Sequence, residues 1–398
     1  MLTHLFKLIW NKKKQNSLLI IEMFVSFIVM FAVLTMLVYS VKNYRHPMGF
    51  DYNNVWVINF TPPENIQRSD SVAMFQDALR KTMKSMPQIK EMSFTGSNVP
   101  FSMNTSNGSI NYGTNKSVTS NMYQAEDSYN KVVGMKIEEG RWFTKADIAS
   151  RFTPVVINRK LKEQLFGNEN ATGKILGEMD YKKQTTDNNY KILGVVEDIK
   201  DKGSYQSVEN SMYIKMDSNA MRWAGTIILK VTPGADAAFE SRLFKTISNA
   251  IGTNVEIEHL DKKLVSKNKI MLVPMIIAAV VAAFLIVNVA LGLFGVLWYN
   301  INKRRGEIGL RRAVGASGND VSKQLVGEAL VLSTISLIIG VFFAIQFPLM
   351  NVFDLPANTY LVAIGLAIIF IYGLVIICAL YPGKQAAAIY PAVALHEE

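Results

Sequence analysis

The chain has 398 residues, of which 49% are hydrophobic and 19% are charged, and its formal net charge is +10. Soluble globular proteins carry about 25% charged residues, so this composition favours a membrane protein. The single cysteine, Cys378, excludes an intrachain disulfide and any multi-cysteine metal site, and four widely separated histidines argue against a histidine metal cluster.

The positive charge is concentrated beside apolar segments. Residues 1–16 carry four lysines and no acidic residue, and residues 299–324 carry six basic residues against two acidic ones. Lysine and arginine are retained in this way on the cytoplasmic side of a membrane. A nucleic-acid-binding module would need a basic face interleaved with aromatic residues, and the sequence has no such face. The sequence therefore predicts membrane lipids as partners and no nucleic acid.

The first predicted elements are a cytoplasmic interfacial helix at residues 1–16 and a transmembrane helix at residues 17–41. Leu2, Leu5 and Phe6 have helical spacing, and lysines follow them, which is typical of a helix lying on a membrane surface. A disordered start is the alternative. Residues 17–41 are long enough to cross a hydrocarbon core of about 30 Å. No small-residue cleavage site follows, so an uncleaved anchor is favoured over a signal peptide.

The sequence predicts that residues 42–268 form a large extracytoplasmic α+β domain. Its strands and helices cluster at both ends, around a polar stretch rich in Ser, Asn, Thr and Gly. The sequence therefore predicts an α+β core interrupted by an inserted β-rich lobe at about residues 97–188. Apolar spacing predicts strands at residues 55–60, 89–94, 190–196, 211–216, 226–231 and 255–257 and helices at residues 69–86 and 236–251.

Three more transmembrane helices are predicted, at residues 270–299, 325–347 and 360–381. Residues 270–299 contain no charged residue, and as a helix they would be about 45 Å long, so we expect this helix to project beyond the bilayer. A cytoplasmic loop is predicted at residues 300–324. The lysines and arginines place both termini in the cytoplasm. The predicted fold is an α-helical membrane protein with four transmembrane helices in a 1+3 arrangement.

Recognisable catalytic chemistry is lacking in the sequence. Residues 167–174 (GNENATGK) have five residues between the glycines, where a phosphate-binding loop has four, and Ile175 follows the lysine in place of Ser or Thr. We therefore predict a turn there. No hydrolase or metalloprotease motif occurs, so the sequence predicts no catalytic residue, no metal and no cofactor.

Two carboxylates, Glu22 and Glu328, lie within predicted spans. Such groups are costly at the bilayer centre and are functional candidates by default. Both are near the cytoplasmic end of their spans, where the cost is smaller. We expect them to pack or to pair with a nearby Lys or Arg, which argues against proton-coupled transport.

The most informative stretch is the predicted inner loop, whose residues 302–321 read NKRRGEIGLRRAVGASGNDV. Glu307 and Arg311 are four residues apart and can pair on a helix. A solvated basic loop near anionic lipid is one interpretation. Ile308, Leu310 and Val314 are more apolar than such a loop needs, however, so docking of a partner is the better explanation.

Four stretches resemble the MacB/FtsX family of ABC-transporter permeases. KRRGEIGLRRAVGAS, after a long transmembrane helix, resembles its permease domain, here at residues 270–390. EEGRWFTKADI with the segments at residues 154–176 and 190–204 resembles its extracytoplasmic domain, and YPGKQAAAIYPAVALHEE resembles its usual ending. The resemblance extends from the first span to the last residue, with the motifs in the expected order.

The resemblance implies a non-catalytic inner-membrane subunit that pairs with a second permease chain, homologous or identical. Only 16 residues precede the first span, so we expect the cytoplasmic ATP-binding cassette ATPase to be a separate chain, unlike the fused domain of MacB. A short helix around residues 307–316 would be the coupling element. The residues expected to contact the ATPase are Arg304, Arg305, Glu307, Ile308, Arg311 and Arg312.

The function that the resemblance implies is transmission of ATP-driven motion to the extracytoplasmic domain, for export or efflux of peptides, drugs or other cargo. A periplasmic adaptor and an outer-membrane channel are further partners in that scheme. Lipoprotein release is an alternative within the family, and control of cell-wall hydrolases ranks after it, because that branch has a smaller outer domain. A membrane-anchored sensor or adaptor without transport would leave the three grouped C-terminal spans unexplained.

Overall fold

The computed structural model describes residues 13–63, 71–113, 116–180 and 185–388. The chain divides into two compact units. We call Met1–Lys42 with Leu272–Glu398 the helical unit and Asn43–Met271 the sheet unit. Most of the predicted interfacial helix at residues 1–16 and the end of the family-like tail at residues 381–398 lie outside the described residues.

Four of the α-helices in the described residues are long and apolar enough to cross a membrane. They are α1, α7, α9 and α11, and they confirm the predicted membrane helices. The α-helices are α1 (Lys13–Tyr44), α2 (Ser71–Lys84), α3 (Tyr129–Val133), α4 (Arg159–Phe166), α5 (Ser218–Arg222), α6 (Ala237–Ile251), α7 (Leu260–Lys303), α8 (Arg305–Ala313), α9 (Gly318–Ala344), α10 (Gln346–Leu349) and α11 (Ala357–Ala387).

Helix α7 has 44 residues and begins ten residues before the predicted span. The extension has a physical cause, because Leu260 and Leu264 are buried in a hydrophobic core of the sheet unit. At 1.5 Å per residue the helix is about 66 Å long, which exceeds the thickness of a hydrocarbon core.

The helical unit is held together by close packing of its long helices. Met23, Phe27 and Phe31 of α1 are buried in one cluster with Tyr360 and other residues of α11. A β-carbon at Gly340 of α9 would lie 2.4 Å from the ring of Phe27, so only glycine allows this approach. Small residues at helix contacts are a common means of tight packing between membrane helices.

Among its described residues the sheet unit contains a mixed sheet of eleven strands, paired in the order β11-β1-β10-β2-β4-β3-β7-β8-β6-β9, with β5 paired to β8. The predicted strands at both ends of this unit are confirmed. The strands are β1 (Val55–Phe60), β2 (Ile89–Thr95), β3 (Asn107–Tyr112), β4 (Lys116–Ala125), β5 (Ile137–Gly140), β6 (Thr153–Asn158), β7 (Ile175–Asp180), β8 (Thr185–Val196), β9 (Ser211–Lys215), β10 (Thr226–Val231) and β11 (Val255–His259).

Six strands close on themselves, because β9 pairs in parallel with β4 and antiparallel with β6. The circuit runs through β4, β3, β7, β8, β6 and β9. The circuit therefore includes β9, which lies outside residues 97–188, the stretch predicted as an inserted lobe. Parallel pairs between strands far apart in sequence leave no local signal in the sequence pattern.

Helices α2 and α6 cover the sheet near β1 and β10. The predicted helix at residues 69–86 is confirmed as α2, and one side of it faces the core: Val72, Leu79 and Met83 are buried, and Phe75 packs half-buried against the same core. Helix α6 ends at Gly252 in the left-handed conformation, as its sequence predicts. The predicted turn at residues 167–174 is also confirmed, since Gly167 has φ +62° and caps α4.

Gly194 in β8 is a test of the packing around the closed circuit. A β-carbon there would lie 2.5 Å from the carbonyl oxygen of Arg141 and 2.8 Å from that of Glu139. We expect Gly194→Ala to lower the free energy of unfolding by about 1–3 kcal/mol through overpacking. Gly234→Ala, with no atom within 4 Å of its β-carbon, is the matched control. Thermal unfolding of the purified full chain measures both, and equal midpoints for the two variants would contradict this packing.

Candidate functional site

The candidate site is the elbow, which we define as residues 304–317, between helices α7 and α9. Arg304 leaves the helical conformation, with φ −109° and ψ 18°, and so separates α7 from α8. Gly315 then has φ +108°, a left-handed value that favours glycine, and it turns the chain towards α9. Ser317 and Asp320 form a capping box that starts α9. Local sequence thus determines both corners of the elbow.

One face of α8 packs against the helical unit. Ile308 is 7% exposed and belongs to a small hydrophobic cluster with Ile301, Val321, Leu325 and Ala386. These side chains come from α7, α9 and α11, so the buried face of the elbow is held by three of the long helices.

Polar contacts hold the elbow to α9 through a closed ring of side chains. Arg304 Nη1 donates to both carboxylate oxygens of Glu328, at 3.1 and 3.2 Å, and Arg304 Nε donates to Glu307 at 3.1 Å. Arg311 donates to Glu307 at 2.6 Å and to the Gln324 amide oxygen at 2.8 Å. The Gln324 amide nitrogen donates to Glu328 at 3.2 Å and closes the ring. We call these five residues the elbow ring.

The hydrogen bonds of the elbow ring explain why these residue types occur at its five positions. Glu307 accepts hydrogen bonds from Arg304 and Arg311, and Glu328 accepts from Arg304. Gln324 both accepts and donates through its amide group. The side chains of Arg304 and Glu328 are about 15% exposed, whereas those of Glu307 and Arg311 are 43% exposed. The Arg304–Glu328 pair is therefore the stronger link, because water screens the outer pair more.

The predicted pairing of Glu307 with Arg311 is confirmed by their ion pair. The expectation that Glu328 pairs with a nearby arginine is confirmed as well, and the partner is Arg304. The carboxylate of Glu22 lies against α7, where a β-carbon on Gly292 would come within 2.6 Å of one of its oxygens. Both intramembrane carboxylates thus have structural surroundings within the helical unit.

The other two predicted contact residues, Arg305 and Arg312, lie on α8. The Arg312 guanidinium donates to the backbone oxygen of Ala387 at the end of α11. Arg305 is half-buried at the start of α8.

The opposite face of α8 is apolar and exposed. Leu310 is 56% exposed and Val314 is 82% exposed, and both lie one helical turn apart on the same side. They border a groove of about 400 Å³, which is lined by Leu310, Arg311, Val314, Ala316, Asp320, Val321 and Gln324. An apolar pair beside a groove with a charged rim is suited to receive a protein partner.

The prediction of six contact residues did not include Leu310, Val314 or Gln324. The sequence analysis had already used Leu310 and Val314 as evidence for docking, and their spacing of four on a short basic helix is a local signal, so both could have been included. Gln324 could not, because its contacts with Arg311 and Glu328 depend on how α8 folds back on α9.

Comparison with known proteins gives two family matches. The MacB-like periplasmic core domain matches residues 24–244, more than half of the chain, and the FtsX-like permease C-terminal region matches residues 279–391. The second match includes the elbow and the elbow ring.

Two curated relatives and one solved structure illustrate the similarity. The macrolide export ATP-binding/permease protein MacB 1/2 of Paracoccus denitrificans is 26% identical over 56% of this chain and 33% of its own length. The MacB protein of Neisseria meningitidis serogroup A is 24% identical over 78% of this chain and 48% of its own length. The periplasmic region of MacB from Actinobacillus actinomycetemcomitans is 21% identical, covers 56% of this chain and 95% of that structure, and has a TM-score of 0.37. The chain thus spans a third to a half of these two curated relatives.

Breaking the elbow ring at its less exposed pair should loosen the elbow. Glu328→Gln removes the charge that balances Arg304, and we expect a loss of about 2 kcal/mol in the unfolding free energy of the helical unit. Glu307→Gln, at the more exposed pair, should cost less than about 1 kcal/mol. Thermal unfolding in detergent compares the two variants. An equal or larger loss for Glu307→Gln would contradict the assigned order of strength.

Proposed function

The chain belongs to the MacB/FtsX family of ABC-transporter permeases, and from this premise we propose that it transmits ATP-driven motion from a cytoplasmic partner to its extracytoplasmic domain. In this proposal the chain is a non-catalytic membrane subunit, and ATP is hydrolysed by a separate ATP-binding cassette subunit. The sheet unit is the extracytoplasmic domain, and both termini and the elbow are cytoplasmic, as the clusters of lysine and arginine favour.

The observation that carries the proposal is the exposed apolar pair, Leu310 and Val314, on an elbow that is fixed on its other side. Exposed apolar side chains next to a groove are best satisfied by burial in a partner. A fixed elbow transfers movement of that partner to the long helices, whereas a solvated loop would absorb it.

The six residues expected at the ATPase contact have two roles in this proposal. Ile308 and Arg304 are held by the chain's own helices, and they anchor the elbow. Arg311 lines the groove and Glu307 pairs with it, and both side chains are 43% exposed, so they offer charge to the ATPase. Arg305 and Arg312 add positive charge on α8.

Movement of the elbow reaches the sheet unit through α7 in this proposal. Strand β11 ends at His259, and α7 begins at the next residue, Leu260, and continues to Lys303 next to the elbow. Strand β11 pairs with β1 along five residues of the sheet. Helix α7 has internal hydrogen bonds along its length except where Pro274 lacks a donor, so it can carry displacement between its ends.

The proposed process is export or efflux of cargo from the periplasm by a pair of permease chains. The curated relatives are named for macrolide export, and the proposal takes the reaction class from them. A second permease chain, a periplasmic adaptor and an outer-membrane channel are the partners that this scheme requires besides the ATPase.

The exposed apolar pair provides the test of this function. We expect Leu310→Asp and Val314→Asp each to abolish co-purification of the ATP-binding cassette subunit, because an aspartate would place a charge in the apolar contact. The measurement is the amount of ATPase recovered with the tagged chain from solubilised membranes.

Ile148→Asp is the matched control, since Ile148 is 73% exposed in the sheet unit and lies far from the elbow in sequence. This control should retain the ATPase. Normal ATPase recovery with correctly inserted Val314→Asp, or absence of any ATPase from the wild-type preparation, would refute the proposed function.

A further inference from the structure

A short loop of the sheet unit, residues 200–205, holds an unusual buried charge. Lys200 is 2% exposed. Burying an ammonium group is costly unless its donors are satisfied. The Lys200 Nζ donates to the backbone oxygen of Asn43 at 2.8 Å and to that of Ser204 at 3.1 Å. Burial lowers the pKa of Lys200, as expected for an ammonium held mainly by neutral carbonyl groups.

The Asn43 carbonyl belongs to the last turn of α1, which ends at Tyr44. Carbonyl groups at the end of a helix lack an intrahelical partner and carry partial negative charge, so a lysine is favoured there. Two more contacts tie this helix end to the loop. Asn43 Nδ2 donates to the backbone oxygen of Tyr205 at 3.2 Å, and the rings of Tyr44 and Tyr205 stack with centroids 5.5 Å apart.

The same loop holds the early part of α7. Asn268 accepts a hydrogen bond from the backbone nitrogen of Ser204 at 2.9 Å and donates to its hydroxyl at 3.1 Å. Gly203 has φ +116°, and a β-carbon there would lie 3.0 Å from the Asn268 amide oxygen. Glycine is therefore required at this position for both conformation and space.

The loop is in turn fixed to the sheet. Asp201 is 2% exposed, and its carboxylate accepts a hydrogen bond from the Tyr123 hydroxyl on β4 and pairs with Lys202 at 3.3 Å. The backbone oxygen of Asp201 accepts from Phe101 at 2.7 Å, and the backbone nitrogen of Lys200 donates to Met48 at 3.0 Å. The loop is thus part of the packed sheet unit and offers a fixed attachment point.

We propose that residues 200–205 form a clasp that joins the end of α1 to the start of α7, so that the two helices move the sheet unit together. Lys200 positions the end of α1 on the clasp, and Asn268 positions the start of α7 on it. Relative displacement of the helix ends would take from a buried ammonium one of its two carbonyl acceptors, the Asn43 oxygen, so the clasp resists it. The part that the clasp plays in coupling rests on the proposed function, whereas the joining of the helix ends does not.

The clasp is tested by distances between spin labels at Arg45→Cys and Lys269→Cys, two exposed positions next to the joined helix ends. The full chain is used with Cys378→Ser. We expect a single narrow distance peak in the wild-type background and its loss in Lys200→Met, which removes the donors and keeps the length of the side chain. Lys145→Met, at an exposed lysine of the same unit, should keep the narrow peak.

Because Lys200 is deeply buried, its substitution risks preventing folding. A second variant therefore tests the clasp at a less buried position. Asn268→Leu, at a half-buried position, should broaden the same peak by releasing α7 alone. A wild-type-like peak in folded Lys200→Met, or in Asn268→Leu if the first variant does not fold, would overturn the clasp.

Its part in coupling is measured in the complex with the ATPase. For this measurement the labels are at Ser150→Cys and Asn358→Cys, exposed positions of the sheet unit and the helical unit. ATP should shift this distance in the wild-type complex, and the shift should be lost in the clasp variants while the ATPase still co-purifies. The absence of any ATP-dependent shift in the wild-type complex would overturn the proposed function, and with it the coupling role of the clasp.

Discussion

The pairing of Arg304 with Glu328 is the interaction on which the proposed site depends. A carboxylate in an apolar helix and an arginine at a helix break are each costly alone, and together they satisfy one another. Glu307, Arg311 and Gln324 complete the ring, so the elbow has a defined position on α9. The buried Ile308 then directs the remaining apolar side chains of α8 outwards. The exposed apolar surface of α8, which is the proposed docking surface, thus follows from the way charges are satisfied.

A similar rule operates in the sheet unit, where the buried ammonium of Lys200 is satisfied by carbonyl oxygens at the end of α1 and in its own loop. In both places a basic side chain fixes the end of a long helix to neighbouring structure. Helix α7 has a fixed partner near each of its ends: Asn268 is bound by Ser204 in the clasp, and Ile301 packs on the elbow. In the proposed mechanism these two attachments are the points at which motion enters and leaves the helix.

The sequence was sufficient to predict a structural feature wherever the residues that determine it are close together in the chain. The apolar runs predicted the four long helices, the spacing of Glu307 and Arg311 predicted their ion pair, and apolar spacing predicted α6. Contacts between distant segments could not be predicted. The closure of six strands through β9, the role of Gln324 and the burial of Lys200 all depend on residues that only the fold brings together. The six predicted contact residues include Ile308 and Arg304, whose inward contacts no periodicity could reveal.

The central claim is that the elbow faces the cytoplasm, where an ATPase can dock on it. Its most direct test is labelling of Val314→Cys, in a chain carrying Cys378→Ser, by a membrane-impermeant maleimide added to sealed spheroplasts. Val314 is 82% exposed in the chain alone, so in spheroplasts that lack the ATPase partner the thiol should react once the membrane is permeabilised and remain unlabelled before. Ser150→Cys, at an exposed position of the sheet unit, should be labelled in the sealed spheroplasts. Labelling of Val314→Cys in sealed spheroplasts would contradict the account.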